Sequence, residues 1–315
     1  MPHGHDHHEH HVHEVQAHGG NVHVPANFGR AFAIGIALNL GFVVIEVVYG
    51  FLANSMALIA DAGHNLGDVL GLVLAWIAIV FAQRRPSTTH TYGLRRGTIL
   101  AALANAVLLL VAIGAIAVEG IRRLIQPAEV AGVTVMVVAA AGVVVNGVTA
   151  WLFASGRKGD INVRGAFLHM AYDALISLGV VVAGGVILVT GWTRLDPLVS
   201  LAVAGFILVG TWSLLRDSMA MAMDAVPPGL KLEDVRALLQ AKDGVAEIHD
   251  LHVWPMSTTE TALTCHLVMP SGHPGDTFLL ALAGELKEHF RIAHSTLQVE
   301  VHENSACELK PDHLV

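Results

Sequence analysis

Residues 55–68 read Ser55-Met56-Ala57-Leu58-Ile59-Ala60-Asp61-Ala62-Gly63-His64-Asn65-Leu66-Gly67-Asp68, and the apolar residues continue to about residue 82. A helix of some 20 apolar residues is enough to cross a bilayer. This one, 56–82, carries three ionisable side chains. A charged group at the centre of a spanning helix costs about 2.5–3.5 kcal/mol on insertion scales, so each such residue marks a functional position. At about 100° per residue, Asp61, His64 and Asp68 share one face, with His64 one turn from Asp68.

The flanking sequence repeats the apolar pattern with fewer ionisable residues per span. Short polar breaks at Ala53-Asn54-Ser55 and at 83–97, 122–130, 156–162 and 191–194 divide it into six spans, 28–52, 56–82, 98–123, 131–155, 163–190 and 196–217. The whole chain of 315 residues is 54% hydrophobic and 14% charged, with mean hydropathy +0.59, against about 45–50% and 25% for soluble domains. That excess points to lipid and excludes disorder, collagen-like repeats and a disulfide scaffold. Cys265 and Cys307 suit a reducing cytosol, and a formal net charge of -8 gives nucleic acid no foothold. Arg84, Arg85, Arg95, Arg96, Arg157, Lys158, Arg164 and Arg216 flank the spans on the side of the N-terminus. Arg122, Arg123 and Arg194 fall on the other. Positive loops stay cytoplasmic, so both termini are expected inside.

Two regions lie outside the spans. Residues 1–27 hold nine of the 20 histidines in a polar stretch with no apolar run, read as a disordered cytosolic tail. It is not a signal peptide, because no charged n-region and small-residue cleavage site precede the first span. Residues 228–315, after Pro227-Pro228-Gly229, alternate helical and strand periodicity: helix 231–242, strands 245–255 and 261–269, helix 276–290 and strand 296–301. The fold expected is thus an α-helical membrane protein of six transmembrane helices, with a C-terminal cytosolic α/β domain of αββαβ order, an open ferredoxin-like sandwich.

The fifth span holds a second pair, His169-Met170-Ala171-Tyr172-Asp173, with His and Asp again four residues apart. One such pair could be a buried polar contact; two in separate spans argue for a shared purpose. Each puts one imidazole and one carboxylate on a helix face, so two facing helices supply four ligands, the number and type that zinc takes tetrahedrally. Two ionised aspartates and a divalent cation sum to zero charge, which offsets the cost of holding either in low dielectric. Imidazole with carboxylate suits zinc, with cobalt, nickel or cadmium as alternatives. Once the metal leaves, protons are expected to replace it on the acids, and imidazole titrates near neutral pH. Metal and proton competing for one site of alternating access would give antiport.

With these residues the sequence resembles the cation diffusion facilitators, the zinc transporter family. Ala60-Asp61-Ala62-Gly63-His64-Asn65-Leu66-Gly67-Asp68 and His169-x-x-x-Asp173 match its paired motifs, and Asp250-Leu251-His252-Val253-Trp254 opens a matching C-terminal domain. The resemblance implies a homodimeric exporter in a bacterial-type inner membrane, moving zinc out of the cytosol in exchange for protons, with His64, Asp68, His169 and Asp173 as the transport site. It also implies zinc selectivity from His in place of Asp at position 64. It further implies C-terminal zinc sites at His249, His266 and His302. Relatives have an acid two residues after the last of these, where this chain has Asn304, and Arg95 stands where vertebrate members place an interfacial His, although His90 is near.

Asp61 shares the face of the first pair and either belongs to a hydrogen-bond network or serves a supporting, proton-relaying role. Asn39, Glu46, Asn105, Glu119 and Asn146 read as helix-to-helix hydrogen-bond partners. His252, His273, His289, His294 and His313 read as surface or packing residues. The tail could be a purification-like artefact, a metal collector or a sensor, and interspersed Asp6, Glu9 and Glu14 argue against an engineered tag. A membrane-bound zinc metalloenzyme is the alternative from another class, yet no His-Glu-x-x-His motif supplies its base. A metal sensor with inert spans is the third. No P-loop is present to drive an ATP-dependent pump.

Overall fold

The computed structural model describes residues 30–154 and 161–301, so the tail, Cys307 and His302 lie outside the described residues. Six helices come first: α1 (Arg30–Leu52), α2 (Met56–Ala82), α3 (Gly97–Ile125), α4 (Gly132–Ala154), α5 (Ile161–Thr190) and α6 (Leu195–Ala222). Helices α2 to α6 each contain a stretch long and apolar enough to span a bilayer, and α1 contributes the shorter apolar stretch Ala37–Leu52. The spans fall where hydropathy puts them, with one difference. Helix α6 continues past Asp217 to Ala222, because Ser218 and the alanines and methionines after it keep the helical backbone satisfied beyond the last charged residues, with Ser218 Oγ donating to Leu214 O at 2.6 Å.

Two joints explain how α2 is held. Helix α1 ends in a left-handed Asn54 (φ 52°), and the Ser55 and Asn54 amides bond back to Gly50 O at 2.9 Å and Phe51 O at 3.2 Å, closing the orphan carbonyls in a Schellman turn. Ser55 then caps α2, accepting from Leu58 N at 3.3 Å. The cap is doubled from a distance. Buried Asp196, in the first turn of α6, accepts from the Ser55 hydroxyl, from Met56 N at 2.7 Å and from Ala57 N at 3.4 Å. One carboxylate from α6 therefore satisfies free amides of α2 and meets the positive end of its dipole. Along its length, α2 presents Gly63, Gly67 and Gly71 to α3. A Cβ on Gly67 would stand 2.2 Å from Leu109 and one on Gly71 2.7 Å from Asn105, so the two helices approach closely only because those side chains are missing.

The C-terminal domain comprises α7 (Leu232–Gln240), β1 (Glu247–Pro255), β2 (Thr261–Val268), α8 (Asp276–Phe290) and β3 (Ile292–Glu300). Its sheet has the order β1-β2-β3, with β1 antiparallel and β3 parallel to β2. The helices cover an apolar face built from Val235, Leu239, Leu263, Leu267, Leu282 and Leu286. Strand β3 begins four residues before the sequence suggests. Its first half, His294-Ser295-Thr296, has no apolar alternation to read, and parallel pairing with β2 needs only its backbone.

The domain is fastened to the start of α3. Arg95 Nη1 bonds Glu260 at 2.8 Å, Thr258 N donates to Thr98 Oγ1 at 3.1 Å and Tyr92 stacks edge-on with His294, while Arg96 ties the start of α3 to Asp224 just after α6.

Removing the shared cap with Asp196→Ala is expected to cost about 1–3 kcal/mol, since capping groups and unsatisfied buried amides are each worth that order. Thermal unfolding of the detergent-solubilised protein measures it, and Asp196→Asn should retain part of the loss. Burial pushes the Cys265 thiol up to about 12. An unfolded thiol ionises near 8.5, so Cys265 leaves stability unchanged below that value and lowers it as pH rises from there towards 12. In a Cys307→Ser background, native protein at pH 8 is expected to resist alkylation that unfolded protein accepts readily.

Candidate metal centre

Helices α2 and α5 run in opposite directions, three crossings apart in the chain. Each carries His and Asp four residues apart, so the reversal sets each imidazole opposite the other helix's acid. His64 Nε2 lies 3.6 Å from Asp173 Oδ1, and His169 Nε2 lies 3.1 Å from Asp68 Oδ2. Within each helix, His64 Nδ1 is 3.7 Å from Asp68 Oδ2 and His169 Nε2 is 3.5 Å from Asp173 Oδ2. The two rings meet edge to face at 5.8 Å. All four residues singled out in the spans are therefore brought together.

Metal bonds of about 2.0–2.1 Å at tetrahedral angles put neighbouring donors about 3.3 Å apart. The four imidazole–carboxylate separations bracket that value. His64, Asp68 and His169 bring one donor atom each within 4.8 Å of one another, and Asp173 reaches both imidazoles. His64 shows a different ring nitrogen to each acid, so ligation of one ion selects one nitrogen. Buried Asp68 Oδ2 and both oxygens of Asp173 accept no well-aligned hydrogen bond among the described residues, and imidazoles are their nearest polar neighbours. Carboxylate oxygens left unpaired at membrane depth are what a cation completes. Exposure is graded: Asp68 and His169, nearer the C-terminal domain, are 35% and 41% exposed, against 15% for His64 and 1% for Asp173.

A second cluster sits in the sheet. His249 and His266 are cross-strand neighbours in β1 and β2, with ring centroids 5.1 Å apart. Glu300 Oε1, from β3, lies 3.3 Å from His249 Nε2 and 3.0 Å from His266 Nδ1, and these three offer donor atoms within 4.8 Å of one another. A break in register after His249, with Asp250 left-handed (φ 52°), turns the Asp250 carboxylate onto His266 Nε2 at 3.4 Å and onto His252 at 2.9 Å. The sequence reading pairs His249 and His266 with His302, which lies outside the described residues, and overlooks Glu300. The alternation of a strand was the available signal, because 300 and 302 fall on the same side of it.

The remaining candidates have local roles. His252 is held by Asp250, His289 Nδ1 by Glu285 O at 3.0 Å, and His273 Nδ1 accepts from Gly275 N at 3.1 Å. His90 bonds Thr89, and Arg95 is engaged by Glu260. Glu119 pairs with Arg122 and Arg123. Asn39 donates to Met170 Sδ at 3.2 Å.

Family comparison follows the same division of the chain. The model of the cation efflux transmembrane domain matches residues 32–222, and that of the cation efflux protein cytoplasmic domain matches 227–302. Zinc transporter ZitB of Escherichia coli K12 is 36% identical over 281 residues, covering 88% of this chain and 90% of that protein. The cadmium, cobalt and zinc/H(+)-K(+) antiporter of Bacillus subtilis 168 is 34% identical over 276 residues, covering 86% and 88%. Metal cation efflux system protein CzcD of Cupriavidus metallidurans is 34% identical over 278 residues, covering 88% of each. With both of its parts matched in order, and relatives aligned along nearly their whole length, this chain belongs to the cation efflux family, the cation diffusion facilitators.

Proposed function

We propose that the protein exports Zn2+ from the cytosol in exchange for protons, binding the ion between α2 and α5 through His64, Asp68, His169 and Asp173. The observation that carries this reading is the opposition of His64 to Asp173 and of His169 to Asp68, at 3.6 and 3.1 Å, with carboxylates that among the described residues meet only imidazoles. The relatives' names give zinc, cadmium and cobalt as cargo, and the Bacillus subtilis name includes protons. Cd2+, Co2+ and Ni2+ are the secondary cargoes by ligand type. A bound Zn2+ cancels the two aspartate charges, and protons take its place when it leaves, so every state avoids two bare acids inside the bilayer.

The greater exposure of Asp68 and His169 supports ion entry from the side of the C-terminal domain. With the arginine-rich loops on that side, both termini face the cytoplasm and the protein sits in the inner membrane as a homodimer. In this arrangement residues 1–27 are the cytosolic tail, 28–217 the membrane domain and 228–315 the cytosolic domain. His249, His266 and Glu300 form a second, regulatory zinc site, to which His302 is adjacent in sequence. No observation favours the metalloenzyme or the inert sensor.

Asp173→Asn or Asp68→Asn is expected to weaken zinc binding by at least about 100-fold, since loss of an outer partner alone costs 10–100-fold. It should also abolish pH-driven zinc flux in proteoliposomes; undiminished flux would overturn the site. Zinc affinity should fall as pH falls from 7.5 to 5.5, by up to about tenfold per pH unit for each protonated imidazole that must lose its proton to bind, as titration calorimetry across that range reads directly. His266→Ala should remove one class of bound zinc per chain and leave the membrane site filled; an unchanged metal content would count against the second site.

A further inference from the structure

On the side of the four donors away from the C-terminal domain lies another pair of acids, which the transport reading does not use. Glu46 of α1 and Asp61 of α2 are both fully buried, and their carboxyl groups are within hydrogen-bonding range of each other. Glu46 Oε2 accepts from Asn65 Nδ2 at 3.4 Å, and Asp61 Oδ2 accepts from Ser177 Oγ at 3.2 Å. The other two oxygens, Glu46 Oε1 and Asp61 Oδ1, have no donor among the described residues.

No Lys or Arg forms an ion pair with either acid among the described residues. From α2 the neighbouring ionisable groups are His64 and Asp68, and from α5 they are His169 and Asp173. Helix α4 brings no charged residue, only Asn146 and Gly142, whose bare backbone lets Ser177 stand against it. On α6, Asp196 is taken up by Ser55 and the start of α2. On α3, Glu119 is taken up by Arg122 and Arg123. Two carboxylates in contact at membrane depth, with one amide and one hydroxyl between them, lack a positive charge. A proton held between facing oxygens supplies both the missing donor and the missing charge.

We propose that Glu46 and Asp61 form an acid pair that stores one proton, releases it when Zn2+ enters the neighbouring site and recovers it when Zn2+ leaves. The inference rests on the antiport reading above. Asp61 is one turn from His64 on α2, and the Ser177 that donates to it is one turn from Asp173 on α5. A bare Asp173 repels a further negative charge so near it at low dielectric; once the ion cancels its charge, that repulsion is lost. The O–H bond breaks with its electron pair left on the carboxylate, and the proton passes to water on the side from which the metal came. On metal release to the opposite side, a proton from that side restores the bond. Each cycle adds one proton to the counterflow beyond those displaced from the four ligands.

The test is the number of protons moved per zinc, read with zinc and pH dyes in proteoliposomes of the full chain, for wild type, Glu46→Gln and Asp61→Asn. Each variant is expected to transport zinc with about one proton fewer per ion, and the slope of log rate against pH should fall by about one. An unchanged proton count in a transporting variant would overturn the pair. For a variant that fails to transport, proton release on zinc binding to the purified protein, from calorimetry in buffers of different protonation enthalpy, decides in the same way. Glu46→Asp, which keeps an acid there, should restore the count, and failure to do so in a folded, zinc-binding variant counts against the pair. A wild type that moves zinc without protons would overturn the antiport reading itself, whereas coupling that survives in both variants overturns only the pair.

Discussion

Two acids inside a bilayer without a fixed partner set the terms for the rest of this molecule. Among the described residues Asp68 and Asp173 meet only imidazoles, whose charge comes and goes with pH. An arginine at the same place would have made a permanent ion pair and closed the site. Imidazole instead leaves a deficit that a divalent ion removes fully and protons remove in steps. The cost of buried charge, which would destabilise an ordinary span, is what gives the proposed site its preference for a cation.

Such a site needs a rigid frame, because donor atoms a few ångströms apart must keep their spacing while the surrounding helices shift. Helix α2 is anchored from several directions. Its first turn is gripped by the Asp196 carboxylate from α6, its glycine stripe lies against α3, and Asn65 and Asp61 engage α1 and α5 beside the ligands. Since α2 carries His64 and Asp68, those anchors fix half of the donor set. The other half rides on α5, which packs closely on α4 where a Cβ on Gly184 would stand 3.1 Å from Met136 N.

Much of this was legible in the chain because it follows from local rules. Long apolar runs and their polar breaks, Ala53-Asn54-Ser55 after α1 among them, give the six helices. The four-residue His–Asp spacing gives the faces that meet. The parts that escaped reading depend on distant partners. Asp196 resembles an ordinary first-turn acid of its own helix, while its contacts lie on α2 some 140 residues earlier. Glu46 looks like an isolated polar residue until α1 packs on α2 and brings it to Asp61. Glu300 is hidden by two more obvious histidines, and its role follows only from the parallel placement of β3 beside β2. The early start of β3 was unreadable because only Ile292 of its first residues is buried, and Ala293 to Thr296 carry no apolar alternation after it.

The fastening of the sheet domain has an evolutionary corollary. Its contacts reach the loop before α3 and the first turn of that helix, and none of them touches His64, Asp68, His169 or Asp173. A lineage can therefore exchange, lengthen or discard this lower module while the residues that face one another between α2 and α5 are inherited intact.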